Sequence, residues 1–201
     1  MQTQLQVTPT AAPTPQAPTL NPVLRELVRS LTAVLAAETD PERRASEAAR
    51  ALQPFLGHPR LLDPSQCEPD PTRYRQHPLY TAGDGSFSVV ALVWMPGQAT
   101  PIHDHVSWCV VGVHQGVEEE IQYDLVQRPG DPYLVPIGAC TNPAGTVAAL
   151  TPPGDIHLVT NPGPGIAISI HVYGADIRER GTSIRRRYDL EVKAVAEAPV
   201  H

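Results

Sequence analysis

A chain of 201 residues is long enough for one domain with a sizeable core and short for two large ones. Its formal net charge of -6 and pI near 5.7 supply no basic surface to neutralise phosphates, which argues against a nucleic-acid partner. Three cysteines, Cys67, Cys109 and Cys140, are too few and too unevenly placed for a disulfide framework, so reduced thiols in a cytoplasmic protein are expected.

The opening "MQTQLQVTPTAAPTPQAPTL" has neither the basic start nor the apolar run of a signal peptide, and no later stretch approaches membrane-spanning length. Residues 1–19 are rich in Pro, Thr, Ala and Gln, with too few large apolar side chains to offset the entropy of ordering, and read as a disordered tail. Residues 20–201 read as a single domain. Its first element is a helix in "NPVLRELVRSLTAVLAA": Asn21 is the N-cap, Pro22 the first helical residue, and Leu24, Leu27, Val28, Leu31 and Leu35 recur at helical spacing. A second helix follows in "DPERRASEAARALQPFLG", capped by Asp40, opened by Pro41 and ending around Pro54 to Gly57.

From Tyr80 the pattern changes to short apolar or β-branched runs broken by Gly, Pro, Asn and Asp: "SFSVVALVW", "WCVVGVHQG", "EEEIQYDLV", "TVAALTP", "IHLVTN" and "GIAISIHVYG". That spacing predicts a mainly β domain, an antiparallel sandwich or small barrel behind two N-terminal α-helices. Residues 174–201 are expected to return along the barrel to about Val192 and then fray.

The chemistry begins at "TPIHDHVSWCVVGVHQG". On a strand, His103 and His105 share one face while Asp104 points away, so the two imidazoles can chelate one ion. An isolated His-x-His is more often a polar surface pair. The surrounding spacing decides between these: Gly97, five residues, His103, one residue, His105, three residues, Cys109, six residues, Gly116. This resembles the first cupin motif, with Cys109 where glutamate is usual. "PPGDIHLVTN" resembles the second, with Pro152, Gly154, His157 and Asn161 in place and the preceding Gly145 one residue off the usual spacing. The resemblance covers about residues 80–175 and implies a small antiparallel β-barrel or jelly roll. It also implies a metal held by His103, His105 and His157. Imidazole suits Fe, Zn, Cu and Ni alike, so the donor type alone does not choose the metal.

In "SIHVYG", Ser169, His171 and Tyr173 alternate onto one strand face and form a candidate relay from hydroxyl to imidazole to phenol. With "PIHDH", Trp108, Cys109 and "GDIHLVTN", these residues make the chain similar to the thiol dioxygenases of the cysteine dioxygenase family, over roughly Tyr74 to Tyr173. That resemblance implies Fe(II) on three histidines, dioxygen as oxidant and a small thiol as substrate, oxidised to its sulfinate. It also implies a catalytic role for the triad and a thioether between Cys109 and Tyr173, as in the animal members; an unreacted buried Cys109 is the alternative.

For the substrate carboxylate, the family uses an arginine or, in a bacterial subgroup that includes the 3-mercaptopropionate dioxygenases, a glutamine ahead of the first core strand. "YRQHPLY" places Gln76 there with Arg75 beside it. The glutamine subgroup meets the carboxylate with an arginine after the triad, where Arg185, Arg186 and Arg187 stand. The signature leans to 3-mercaptopropionate and keeps cysteine open. Trp108 is expected to pack beside the metal strand, His77 either to contact substrate or to serve at the surface or as a cap, and His58, His114 and His201 to be structural or exposed. Another metal-dependent cupin oxygenase, or a cupin that binds small molecules without turnover, are the competing readings. The oligomeric state stays open, a monomer included.

Overall fold

The computed structural model describes residues 20–194. The tail expected over residues 1–19 and, Ala194 apart, the fraying expected over 194–201 lie outside them. Helix α1 (Pro22–Ala36) starts where the Asn21 side chain accepts the Leu24 N–H, and α2 (Pro41–Leu52) where the Asp40 side chain accepts the Arg43 N–H. Each helix opens with a proline, whose missing N–H costs nothing in the first turn. Leu24, Leu27, Val28, Leu31 and Leu35 form the buried stripe of α1, and Ala45, Ala48 and Leu52 that of α2.

Ten strands follow: β1 (Arg75–Thr81), β2 (Ser88–Trp94), β3 (His103–His105), β4 (Cys109–Gln115), β5 (Val117–Val126), β6 (Tyr133–Pro143), β7 (Val147–Leu150), β8 (His157–Thr160), β9 (Ala167–Tyr173) and, after the single-turn helix α3 (Ile177–Arg180), β10 (Ile184–Arg187). They form two five-stranded sheets, ordered β1-β2-β9-β4-β7 and β10-β3-β8-β5-β6, with antiparallel neighbours in both. The mainly β fold with two leading helices is therefore as expected. Strands β1, β6 and β10 were not among the apolar runs, because their side chains are largely exposed or half-buried. The C-terminal return is present: β10 pairs with β3, and Val192 bridges to Leu134 beside β6.

Both faces of the first sheet are covered, and this explains β2 and β9, in which every residue is buried. Side chains alternate across a sheet. On β9, Ile168, Ile170 and Val172 pack with α1 and α2 in the larger core cluster, as do Val89, Ala91 and Val93 of β2. The alternate residues, Val90, Leu92 and Trp94 with Ala167 and Tyr173, belong to a second cluster between the sheets. Ser169 and His171 share that inner register. Trp108, expected beside the metal strand, lies just before β4 and packs in the helix-side cluster.

Of the motif glycines, Gly97 and Gly116 have φ of +78° and +77°, which L side chains adopt at a cost. A Cβ on Gly97 would meet nothing within 4 Å, whereas one on Gly116 would lie 2.9 Å from Ala167 Cα and 3.0 Å from Ile166 O. Gly116 thus serves both the β4–β5 turn and a close approach of the start of β9. Gly97→Ala is expected to cost about 1–2 kcal/mol, the left-handed penalty alone, and Gly116→Ala distinctly more because backbone must move. Paired thermal melts check this; equal losses would remove the close-approach argument.

Candidate metal centre

Three short stretches deliver three imidazoles to one place. Antiparallel pairing sets His103 of β3 opposite His157 of β8, and alternation puts His105 on the same face as His103. The three rings stand with centroids 4.7–5.0 Å apart, and one ligand nitrogen from each lies within 4.8 Å of the others. All three are buried.

Each ring is fixed by its Nδ1. His103 Nδ1 lies 2.9 Å from the Pro101 carbonyl, His105 Nδ1 3.0 Å from Asp155 Oδ2 and His157 Nδ1 2.8 Å from Glu120 Oε1. A carbonyl and an ionised carboxylate only accept, so Nδ1 carries the hydrogen in each ring and donates it, leaving the Nε2 lone pair free. Donation from the second ring nitrogen to a carbonyl or carboxylate is how metal-binding histidines are oriented and made more basic. The donor set therefore fits a divalent ion. Asp155 also accepts the His105 backbone N–H at 2.9 Å, which ties the β8 turn to β3.

The electrostatics agree. Burial, and then the facing His157 and His105 rings, push His103 down to about 3, so at neutral pH it is a neutral ligand. His105 is lowered mainly by burial, with Asp155 opposing. Burial would raise the two carboxyls, but hydrogen bonding from His105 keeps Asp155 low, and the hydrogen bond from His157 keeps Glu120 low. Sequence reasoning missed both acids. Asp155 stood inside the "GDIH" motif, and its signal is that it leads into the turn before a ligand histidine; Glu120 was hidden in the acidic run "VEEEIQYDL", which reads as a solvated face.

Beside the histidines runs the relay. Tyr173 Oη lies 3.0 Å from His171 Nδ1, and His171 Nε2 2.9 Å from Ser169 Oγ. Burial, then the three nearby histidines, hold His171 well below its ordinary value, so its ring is neutral and carries one N–H. Burial and the adjacent Cys109 raise Tyr173 far above the usual phenol range, with Ser183 opposing as a hydrogen-bond partner. The Tyr173 and His105 rings are 6.1 Å apart. Cys109 on β4 is the direct cross-strand partner of Tyr173 on β9. It is fully buried, and burial first, then Asp155 and Glu120, raise its thiol well above the ordinary value.

An inner cavity of about 20 Å³ is lined by His103, His105, His157, His171, Tyr173 and Gln76, with Tyr74, Ser183 and Ile184 among its other walls. Tyr74 and Gln76 also line an outer basin of about 630 Å³, together with Arg73, Arg75 and Arg187. Of the expected substrate residues, Gln76 thus reaches the inner cavity and Arg75 only the basin, where it pairs with Glu68 at 3.3 Å. Arg185 and Arg186 line neither. Arg185 pairs with the buried Asp104 and Arg186 lies over the Tyr188 ring, 4.7 Å from its centroid, so both are spent on the outer side of β3. The register shift between Ile184 and Arg186 leaves Arg187 lining the basin instead. His77 Nε2 meets the Glu68 carbonyl at 2.9 Å and His114 Nδ1 accepts the Gly57 N–H at 3.1 Å.

The first shared signature among known proteins is the family model for cysteine dioxygenase type I, which matches residues 67–176, just over half of the chain. Among solved structures, the chain is similar to an uncharacterized conserved protein with a double-stranded β-helix domain from Klebsiella pneumoniae, at 20% identity over 58% of this chain and 90% of that one, with a TM-score of 0.46. A Cupin 2 conserved barrel domain protein from Salinispora arenicola matches at 22% identity, 59% and 90% coverage and a TM-score of 0.41. Recombinant oxalate oxidase in complex with glycolate matches at 18% identity, 53% of each chain and a TM-score of 0.41. Likeness of that degree concerns the fold and no more. The family match spans β1 to β9, and with it the three histidines, Cys109 and the relay; the chain belongs to the cysteine dioxygenase type I family.

Proposed function

We propose that this protein is a thiol dioxygenase that uses Fe(II) on His103, His105 and His157. It adds both atoms of dioxygen to the sulfur of a small thiol carboxylate and yields the sulfinate. The observation that carries this reading is the combination of three converging imidazoles, each fixed through Nδ1, with a tyrosine relay on a strand of the facing sheet. Family membership supports a dioxygenase that works on a small molecule and dioxygen. No described helix is long and apolar enough to cross a membrane, and a cytoplasmic setting for the reduced thiols is part of the same proposal.

A ferrous ion bound there would supply a soft enough centre for a thiolate and the one-electron chemistry that dioxygen requires. The chain supplies the rest. Three neutral donors leave the ion its double positive charge, which favours the deprotonated sulfur. The apolar walls, with Leu92, Trp94 and Val159 beside the histidines, exclude water and strengthen every electrostatic contact inside. Tyr173 places a hydroxyl at the cavity, oriented by His171 and Ser169. The thiol supplies all the electrons when both oxygens end on sulfur, so no reducing cosubstrate is needed.

Gln76 at the neck between cavity and basin supports 3-mercaptopropionate over cysteine as the substrate. The carboxylate would meet a guanidinium at the mouth, which suits it by donating two parallel hydrogen bonds. Arg73 and Arg75 have acidic neighbours, Asp70 and Glu68, whereas Arg187 has no ion-pair partner among the described residues. Arg187 is therefore the residue we assign to the carboxylate.

Two measurements test this. Iron-loaded protein given a panel of small thiols and then oxygen should consume oxygen and form sulfinate in equal molar amounts, 3-mercaptopropionate fastest. Oxygen uptake without sulfinate would point to a different oxygenase, and no uptake with any thiol to a binding protein. With dioxygen as the two-electron oxidant, the opposed Cys109 and Tyr173 should also lose the thiol hydrogen and one ring hydrogen and form a thioether, read as an intact-mass deficit of about two hydrogens that disappears in Cys109→Ala. An unshifted mass after repeated turnover would mean that Cys109 is only a buried thiol.

A further inference from the structure

The relay from Tyr173 does not end at Ser169. Glu118 of β5 is 1% exposed, and its Oε1 has no hydrogen-bond partner. A buried carboxyl left in that state costs several times a normal hydrogen bond's net contribution and calls for an explanation. The Ser169 hydroxyl and the Trp94 indole both hold this carboxyl down, and Trp94 Nε1 donates to Ser169 Oγ at 3.2 Å. Four groups on β9 and β5 therefore stand in line from the cavity inward: Tyr173, His171, Ser169 and Glu118.

We infer that Glu118 is the proton terminus of this relay and receives the proton that the substrate thiol loses on binding. The inference rests on the thiol dioxygenase reading, whose reaction releases one proton: RSH + O2 gives RSO2⁻ + H⁺. Hydrogen-bond counting supplies the direction. Trp94 can only donate, so it occupies one lone pair of Ser169 Oγ. With Glu118 ionised, Ser169 donates its hydrogen to Glu118, His171 donates Nε2–H to Ser169, and Tyr173 donates to His171 Nδ1. Beside the contact with Ser183, Tyr173 Oη then keeps an acceptor lone pair for the cavity.

A thiol proton taken there moves each hydrogen one place. Tyr173 gives its own to His171 Nδ1, His171 gives Nε2–H to Ser169, and Ser169 gives its hydrogen to Glu118. Each relay group keeps its proton count, the thiol loses one, and Glu118 gains one. The chain of bonds is then reversed, and Tyr173 O–H points into the cavity as a donor. Glu118 thus decides whether Tyr173 accepts from, or donates to, whatever occupies the cavity.

Two further observations support it. A separate cavity of about 10 Å³, room for about one water, touches Glu118 and extends to the half-exposed Asn142 and Thr146, a route by which the proton reaches solvent. Burial lifts the Glu118 carboxyl to about 7, with Ser169 and Trp94 opposing and Glu120 adding to the rise. The titratable groups that face it are Glu120 on its own strand, His157 of β8 across the small cavity and His171 of β9 through Ser169. The wall residues of β4, β6 and β7 are uncharged.

The experiment compares wild type with Glu118→Gln, which keeps volume and hydrogen bonding but cannot take a proton. In iron-loaded wild type, kcat/KM for the thiol should rise with pH through about 7, because only ionised Glu118 can accept. In Glu118→Gln that rise should vanish and kcat/KM fall roughly ten- to a hundredfold at unchanged iron content. An unchanged pH profile would overturn the inference. In metal-free protein, infrared difference spectra between mildly acidic and mildly alkaline buffer should show a buried carboxyl band. Glu118→Gln should abolish it and Ser169→Ala should shift it. A band indifferent to both substitutions would likewise overturn it. If Glu118→Gln does not fold, Ser169→Ala cuts the relay at the same link and must abolish the same rise. If wild type oxidises no thiol, the functional reading falls and the infrared arm alone decides the relay.

Discussion

The histidines and acids between the two sheets are buried, so most of their polar atoms depend on partners inside the protein. This constraint organises the rest of the structure. Three imidazoles facing one another across a few ångströms would be a poor use of a core unless their outward nitrogens were satisfied. They are satisfied by a main-chain carbonyl and two buried carboxylates. The same bonds that keep the rings in place leave three lone pairs converging on one point, so the cost of burying them is met by arrangements that also create a ligand set.

The carboxylates serve the architecture as well as the site. Asp155 holds β3 through the His105 N–H and ring together, and Glu120 reaches from β5 to the ring on β8. Asp104, on the opposite face of β3, is fully buried and takes hydrogen bonds from Arg185 and Tyr188. It thereby fastens β10, whose first residue Ile184 lines the inner cavity next to Ser183. Each acid thus joins two strands of the second sheet, which has a smaller apolar cluster than the helix-backed first sheet.

Much of this was legible in the residues. The helices announced themselves by Asn21-Pro22 and Asp40-Pro41 with a periodic apolar face, and the turn glycines with their histidines marked the two halves of the site. The alternation in "SIHVYG" separated relay from core because β9 has helices on one side and the cavity on the other. The second layer was not legible, for a physical reason. On β5, Glu118 and Glu120 are buried while Val117 and Ile121 are only half-buried. Hydrophobicity therefore points to the wrong face, and a register shift at Gln122/Tyr123 reverses the phase beyond it. Strands β6 and β10 gave no apolar signal, and the three arginines of "IRRR" differ in role through a register shift against β3 between Ile184 and Arg186, with the Arg185 side chain on Asp104 and Arg187 at the basin.

The central claim is that the three Nε2 lone pairs converge on one ion. Anaerobic equilibrium dialysis against Fe(II), with metal counted per chain, tests it without reference to turnover. The account predicts one ion for the wild type and its loss on replacing His103, His105 or His157 singly by alanine, each variant remaining folded by circular dichroism. Well-folded wild type that retains no iron, or single variants that retain it undiminished, would contradict the account.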